Sequence, residues 1–116
     1  MKSFIRENTW LTRDIHITFG WGNGYVLIPK CNKFNGVHYD ELNELINIHG
    51  GLTFSEAVTE DFIKNWGLSE NDLGSWCVGF DTCHYSDTLS KWDKDSVQRE
   101  TDILLSQLIS LSNTTY

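Results

Sequence analysis

Asp81-Thr82-Cys83-His84-Tyr85-Ser86-Asp87 directly follows the apolar run Trp76-Cys77-Val78-Gly79-Phe80. A buried strand that delivers carboxylates and an imidazole to its exit holds them on a rigid support. Asp81 can orient an imidazole or bind a hard metal, and His84 can act as acid or base. Asp87 adds a second carboxylate three residues on. The same residues also suit a plain polar loop whose Asp side chains make local turns.

His49-Gly50-Gly51 is the second candidate. Two glycines permit positive φ and close backbone approach, so their amides can line an anion site, and His49 supplies a donor or a base. The competing reading is a helix stop followed by a surface histidine. The third candidate is Trp21, Tyr25 and Lys30, followed by Lys33 and Phe34. Its aromatic rings offer stacking faces and Lys30 can meet a phosphate, although aromatic residues are also expected in a core.

Other chemistries are disfavoured. Cys31, Cys77 and Cys83 form no CxxC pair, and Cys77 beside Trp76 reads as core. No metal and no cofactor is assigned. Neither Ser55 nor Ser75 lies in GxSxG, and no P-loop or dinucleotide fingerprint occurs.

The elements that must position these residues follow from periodicity. Residues 15–19 and 25–28 read as strands, with 20–24 as a glycine-rich turn between them in a hairpin. Residues 38–48 predict a helix on Leu42, Leu45 and Ile46, stopped by His49-Gly50-Gly51. Leu52–Phe54 predicts a short strand. A helix capped by Thr53 or Ser55 follows, burying Ala57, Val58, Phe62 and Trp66 and ending at Gly67. Residues 76–80 predict a strand. Residues 96–112 predict the longest helix, capped by Asp95 or Ser96, with Val97, Leu104, Leu108 and Leu111 on one face and Ile103, Leu105 and Ile109 widening it. The fold class is α+β: a small, mostly antiparallel sheet with the long C-terminal helix packed on it.

The chain has 116 residues, 40% of them hydrophobic, which predicts a single domain, 1–116, with one modest core. The formal net charge of -7 argues against binding nucleic acid. The charge is uneven. Residues 1–39 carry five bases against two acids, and residues 40–116 carry four bases against 14 acids. An anion site would therefore draw on the first third. No signal peptide or membrane span is expected, and the odd count of three cysteines suits free thiols in a cytoplasmic protein.

Several segments together resemble a family of small proteins encoded by bacteriophages and prophages. These are Gly24-Tyr25-Val26-x-Ile28-Pro29, His38-Tyr39-Asp40, His49-Gly50-Gly51-Leu52-Thr53-Phe54 and Trp76-x-Val78-Gly79-Phe80-Asp81-x-x-His84-x-x-Asp87. The final helix, with Arg99-Glu100 before its leucines, is similar too. The resemblance covers roughly residues 24–110 and departs from the pattern after Pro29. Relatives often carry Lys-x-His-Pro there, and this chain has Lys30-Cys31-Asn32-Lys33. It implies phage origin and the cytoplasm of an infected host, without naming an activity.

By analogy with phage counter-defence factors, the leading expectation is a binding protein that sequesters a small anionic nucleotide-like immune signal, a cyclic nucleotide or ADP-ribose derivative. Trp21, Tyr25, Lys30, His49, Gly50, Gly51, Asp81 and His84 would line its site. The alternative is a phosphodiesterase-type hydrolase using His49, His84, Asp81 and Asp87. A further alternative is an acidic inhibitor docking on a host effector. A homo-oligomer stays open, with Trp10, Trp66 and Trp92 available at an interface.

Overall fold

The structure is a computed structural model and describes residues 1–8, 19–84 and 86–114. Four strands, β1 (Lys2–Glu7), β2 (Gly22–Ile28), β3 (Phe54–Ala57) and β4 (Trp76–Phe80), form one antiparallel sheet in the order β1-β2-β4-β3. Three α-helices accompany it among the described residues: α1 (Tyr39–Leu42), α2 (Glu60–Trp66) and α3 (Lys94–Ser112). The fold is α+β with the C-terminal helix packed on the sheet, as the sequence predicts. Among the described residues no helix is long and apolar enough to cross a membrane.

The central strands β2 and β4 are covered on both faces, which explains their unbroken apolar runs. Val26, Ile28, Val78 and Phe80 pack with Val97, Leu104 and Leu108 of α3. Tyr25, Leu27 and Cys77 point the other way and pack with Phe62, while Trp66 lies against that cluster. Side chains alternate between faces with a period of two, so each strand feeds both layers. Gly24 lies beneath α3, where any side chain would run into the Thr101 hydroxyl and the Phe80 ring.

Several expectations change. The strand expected at 15–19 lies almost wholly outside the described residues. Its hairpin with β2 is replaced, because β1 holds one edge of β2 and β4 the other. Gly22–Gly24 are strand rather than turn. β1 went unpredicted because its polar residues mask an edge-strand alternation in which Phe4 and Ile5 join opposite cores.

The helix expected over 38–48 is helical only at Tyr39–Leu42. Side chains outcompete its continuation. The Asn43 amide donates to Leu52 O (2.9 Å) and accepts from Leu52 N (2.6 Å). Gln107 of α3 likewise takes both backbone groups of Asn47. The next helix starts at a Thr59 cap, not at Thr53 or Ser55, since Phe54–Ala57 pairs with the open edge of β4. Phe62, Trp66 and the Gly67 terminus fall as expected.

Helix α3 starts earlier than expected, with Asp93 as its cap. Val97, Leu104 and Leu108 are buried, whereas Ile103 and Ile109 stay exposed, so its apolar stripe is narrower. Asp93 accepts from Ser96 N at 2.9 Å. Bonds from the Ser96 backbone and hydroxyl hold its carboxyl below the usual range. A carboxyl lowered by folding stabilises above its unfolded value, about pH 4, and loses that contribution as pH falls through its folded value. Asp93→Ala should therefore lower Tm at neutral pH, with the gap to wild type closing in acid. Thermal melts across pH 2 to 7, roughly the carboxylate range, check this; a gap independent of pH would contradict it.

Candidate functional site

At the Phe80 end of β4 the chain turns into the Asp81–Asp87 loop, and this loop is fastened firmly. Thr82, fully buried, donates its hydroxyl to Gly22 O at 2.6 Å, and its carbonyl accepts from Gly20 N at 2.7 Å. Asp81 accepts from Cys83 N (3.0 Å) and from the Thr53 hydroxyl (2.8 Å). The 84–87 turn closes with Asp87 N donating to His84 O at 2.9 Å.

A second loop brings His49 to the same place. Its backbone N–H donates to Glu100 Oε2 of α3 at 2.6 Å. Its ring stacks on Trp92 with centroids 4.1 Å apart and lies edge-on to His84 at 5.2 Å. The two loops meet on Asp87, whose side chain is 1% exposed. His49 Nε2 lies 2.7 Å from Asp87 Oδ1, and His84 Nδ1 lies 2.9 Å from Asp87 Oδ2. The His84 backbone N–H donates to the same Oδ2 at 2.9 Å. Asp81 Oδ1 stands 3.6 Å from His84 Nδ1. The histidine side chains are 25% and 35% exposed, so the cluster has a buried base and a solvent-facing rim.

Burial pushes the Asp87 carboxyl up, but the bonds from the His84 backbone, the His84 ring and His49 outweigh it and hold it below the usual carboxylate range. An ionised carboxylate only accepts. The nitrogens facing it, His49 Nε2 and His84 Nδ1, therefore carry the hydrogens. In a neutral ring this leaves a lone pair on the opposite nitrogen, where it can take a proton or a ligand.

Of the residues singled out in the sequence, His49, Gly50, Asp81, His84 and Asp87 converge. Gly50, at φ +66°, leaves room for the His84 ring, which any side chain there would strike. Gly51 does not join an anion cradle: its N–H donates to Ile48 O at 3.1 Å, and Asn43 lies beside it.

Three expected ligand residues lie elsewhere or are otherwise engaged. Tyr25 is buried on the face opposite α3, against Phe4, Phe54 and Trp66, and its edge lines a cleft with Thr53, Asp81 and Cys83 that His49 does not reach. Lys30 follows β2 at its Ile28 end, paired with Trp76, so the length of β4 (about 14 Å) separates it from the site. The Lys30 side chain runs past Gly74. Trp21 borders the site through its backbone, donating to Trp92 O at 2.7 Å, and Lys94 Nζ stands 5.8 Å from its ring.

Two of the tryptophans offered for an interface, Trp66 and Trp92, have partners within the chain. Trp66 packs in the α2 cluster under Arg6, and Trp92 packs on His49. Trp10 lies outside the described residues.

Trp92, Glu100 and Thr53 were missed as site residues. Glu100 left a signal, because it falls between Val97 and Leu104 on the stripe that faces the sheet, where a carboxylate needs a partner. Cys77 stays a core residue, its thiol pushed up to about 12 by burial, with Glu56 adding to the effect. No family model, curated protein or solved structure matches the chain.

Gly50→Ala combines left-handed strain with a clash on the His84 ring, and should destabilise by more than about 1 kcal/mol. Chemical denaturation gives the cost, and the His84 ring resonances should move. A variant as stable as wild type with an unshifted His84 would refute this packing.

Proposed function

We propose that the protein is a hydrolase that cleaves a phosphoester in a small nucleotide-derived molecule, with His49, His84 and Asp87 as its reacting centre. One observation carries the reading: a single buried carboxylate grips two half-exposed imidazoles from separate loops. A passive pocket has no need of that arrangement, whereas proton transfer does. In hydrolysis a water oxygen bonds to phosphorus, the bond to the leaving oxygen breaks, and the proton released by the water ends on the leaving group. The cluster offers lone pairs to hold that proton in between, on the imidazoles and on Asp81 at the rim.

Sequestration is less well supported, because Tyr25 and Lys30, its base-stacking and phosphate-binding residues, do not converge with His49. The resemblance of these segments to those of phage proteins makes an immune signal, a cyclic nucleotide or ADP-ribose derivative, the substrate class to test first, inside an infected bacterial cell.

The test incubates purified protein with such nucleotides, denatures it by heat and chromatographs the supernatant. Altered nucleotide is expected from wild type. His84→Ala, at a half-exposed position that should fold, is expected to lose at least about 100-fold in turnover, the usual scale for an acid–base group. Intact nucleotide released only on heating would establish sequestration instead. No depletion of any nucleotide would refute both.

A further inference from the structure

His49, His84 and Asp87 also have the composition and spacing of a metal centre. One ligand atom from each lies within 4.8 Å of the other two. We propose that this cluster binds a divalent first-row transition metal, zinc in class, through His49 Nε2, His84 Nδ1 and the Asp87 carboxylate, with a coordination position left open at the rim for water. The assignment rests on the hydrolase reading for the use of that water.

Four features support it. The donor set, two nitrogens and one carboxylate oxygen, suits a borderline cation rather than Mg²⁺ or Ca²⁺, which prefer oxygen. Three protein ligands plus an open position is the pattern of catalytic rather than structural zinc.

The spacing is close to what such an ion needs. Tetrahedral bonds of about 2.0–2.1 Å set ligand atoms about 3.3 Å apart. The two imidazole–Asp87 contacts, 2.7 Å to Oδ1 and 2.9 Å to Oδ2, would open by roughly half an ångström around the ion, and the three ligand atoms, all within 4.8 Å of one another, would draw in to that spacing. Each ring hydrogen would move to the outer nitrogen, so no proton need be lost; with the ion bound the rings have no lone pair to spare, and Asp81 at the rim is the group that would hold the proton released by the water.

The local charge also calls for a cation. Among the described residues Asp81 and Asp87 pair with imidazoles and with neither Lys nor Arg, while Glu100 sits on the His49 backbone. A phosphate approaching these three carboxylates needs a positive centre, and a bound divalent ion would supply one.

Finally, the ligands are oriented beforehand. Trp92 stacking and the Glu100 bond fix His49, the 84–87 turn fixes His84, and Gly50 leaves the His84 ring its place.

The experiment titrates the full chain with Co²⁺ and reads the visible ligand-field bands, then displaces the ion with Zn²⁺. One ion per chain is expected, with bands unaffected by excess Mg²⁺ or Ca²⁺. His49→Ala and His84→Ala, checked for folding by circular dichroism, should each weaken uptake by at least about 100-fold, as loss of a ligand should exceed the effect of losing an outer partner. Cys31→Ser and Cys83→Ser should leave the bands unchanged. No bands from folded wild type in excess Co²⁺, bands that survive both histidine variants, or bands lost in Cys83→Ser would each overturn the assignment. Uptake is read without substrate, which keeps the two proposals separable. Full turnover by chelated protein overturns the use of the metal-bound water and leaves hydrolysis standing. Uptake of Co²⁺ without turnover of any nucleotide overturns hydrolysis and leaves the metal site.

Discussion

Burying the Asp87 carboxylate constrains everything around it. A charge taken from water is costly unless it is paired and hydrogen-bonded. Three N–H groups meet that need, the His84 amide, the His84 ring and the His49 ring. Two come from the Asp81–Asp87 loop itself and the third from a loop more than thirty residues earlier in the chain. The carboxylate therefore locks two distant segments into one constellation. Its low exposure is also what gives the two imidazoles a fixed orientation.

That constellation depends in turn on α3 and the sheet. Glu100 and Gln107 reach from the helix to the backbone at His49 and Asn47, so the helix holds the loop in addition to the loop's own Asn43–Leu52 and Gly51–Ile48 bonds. The helix is seated by Val97, Leu104 and Leu108 against β2 and β4, with Thr101 lying over Gly24. On the other side of the same strands, the aromatic cluster of Tyr25, Phe54, Phe62 and Trp66 holds α2. The two layers divide the work. One is a packed aromatic support, and the other carries the polar groups that could react.

Much of this was legible from local pattern. The apolar run of β4, the long amphipathic α3 and the Gly67 terminus all follow from periodicity and glycine placement. The Asp81–Asp87 loop was marked by its composition, and its residues do stand together. Other features were not legible because they are settled by partners far away in sequence. β1 is an edge strand whose polar residues blur its alternation. The helix after His38 stops early because Gln107 binds Asn47 backbone that the helix would have used, while the Asn43 side chain ties the segment to Leu52. Phe54–Ala57 is strand because β4 has an open edge, although Ala57 and Val58 suit a helix stripe equally well.

The candidate site divides the same way. By itself, the sequence determined which chemical groups the chain owns, that the fold is α+β, and that Asp81, His84 and Asp87 leave a buried strand together, because residue type and short-range periodicity are local properties. Tertiary structure alone decided that His49 joins them, while Lys30 does not and Tyr25 shares a cleft with Asp81 only. Tyr25 alternates onto the opposite face of the sheet, and Lys30 leaves β2 at the far end, one strand length away. Such outcomes depend on strand register and on which loop a helix side chain can reach, and neither is written in the spacing of residues along the chain.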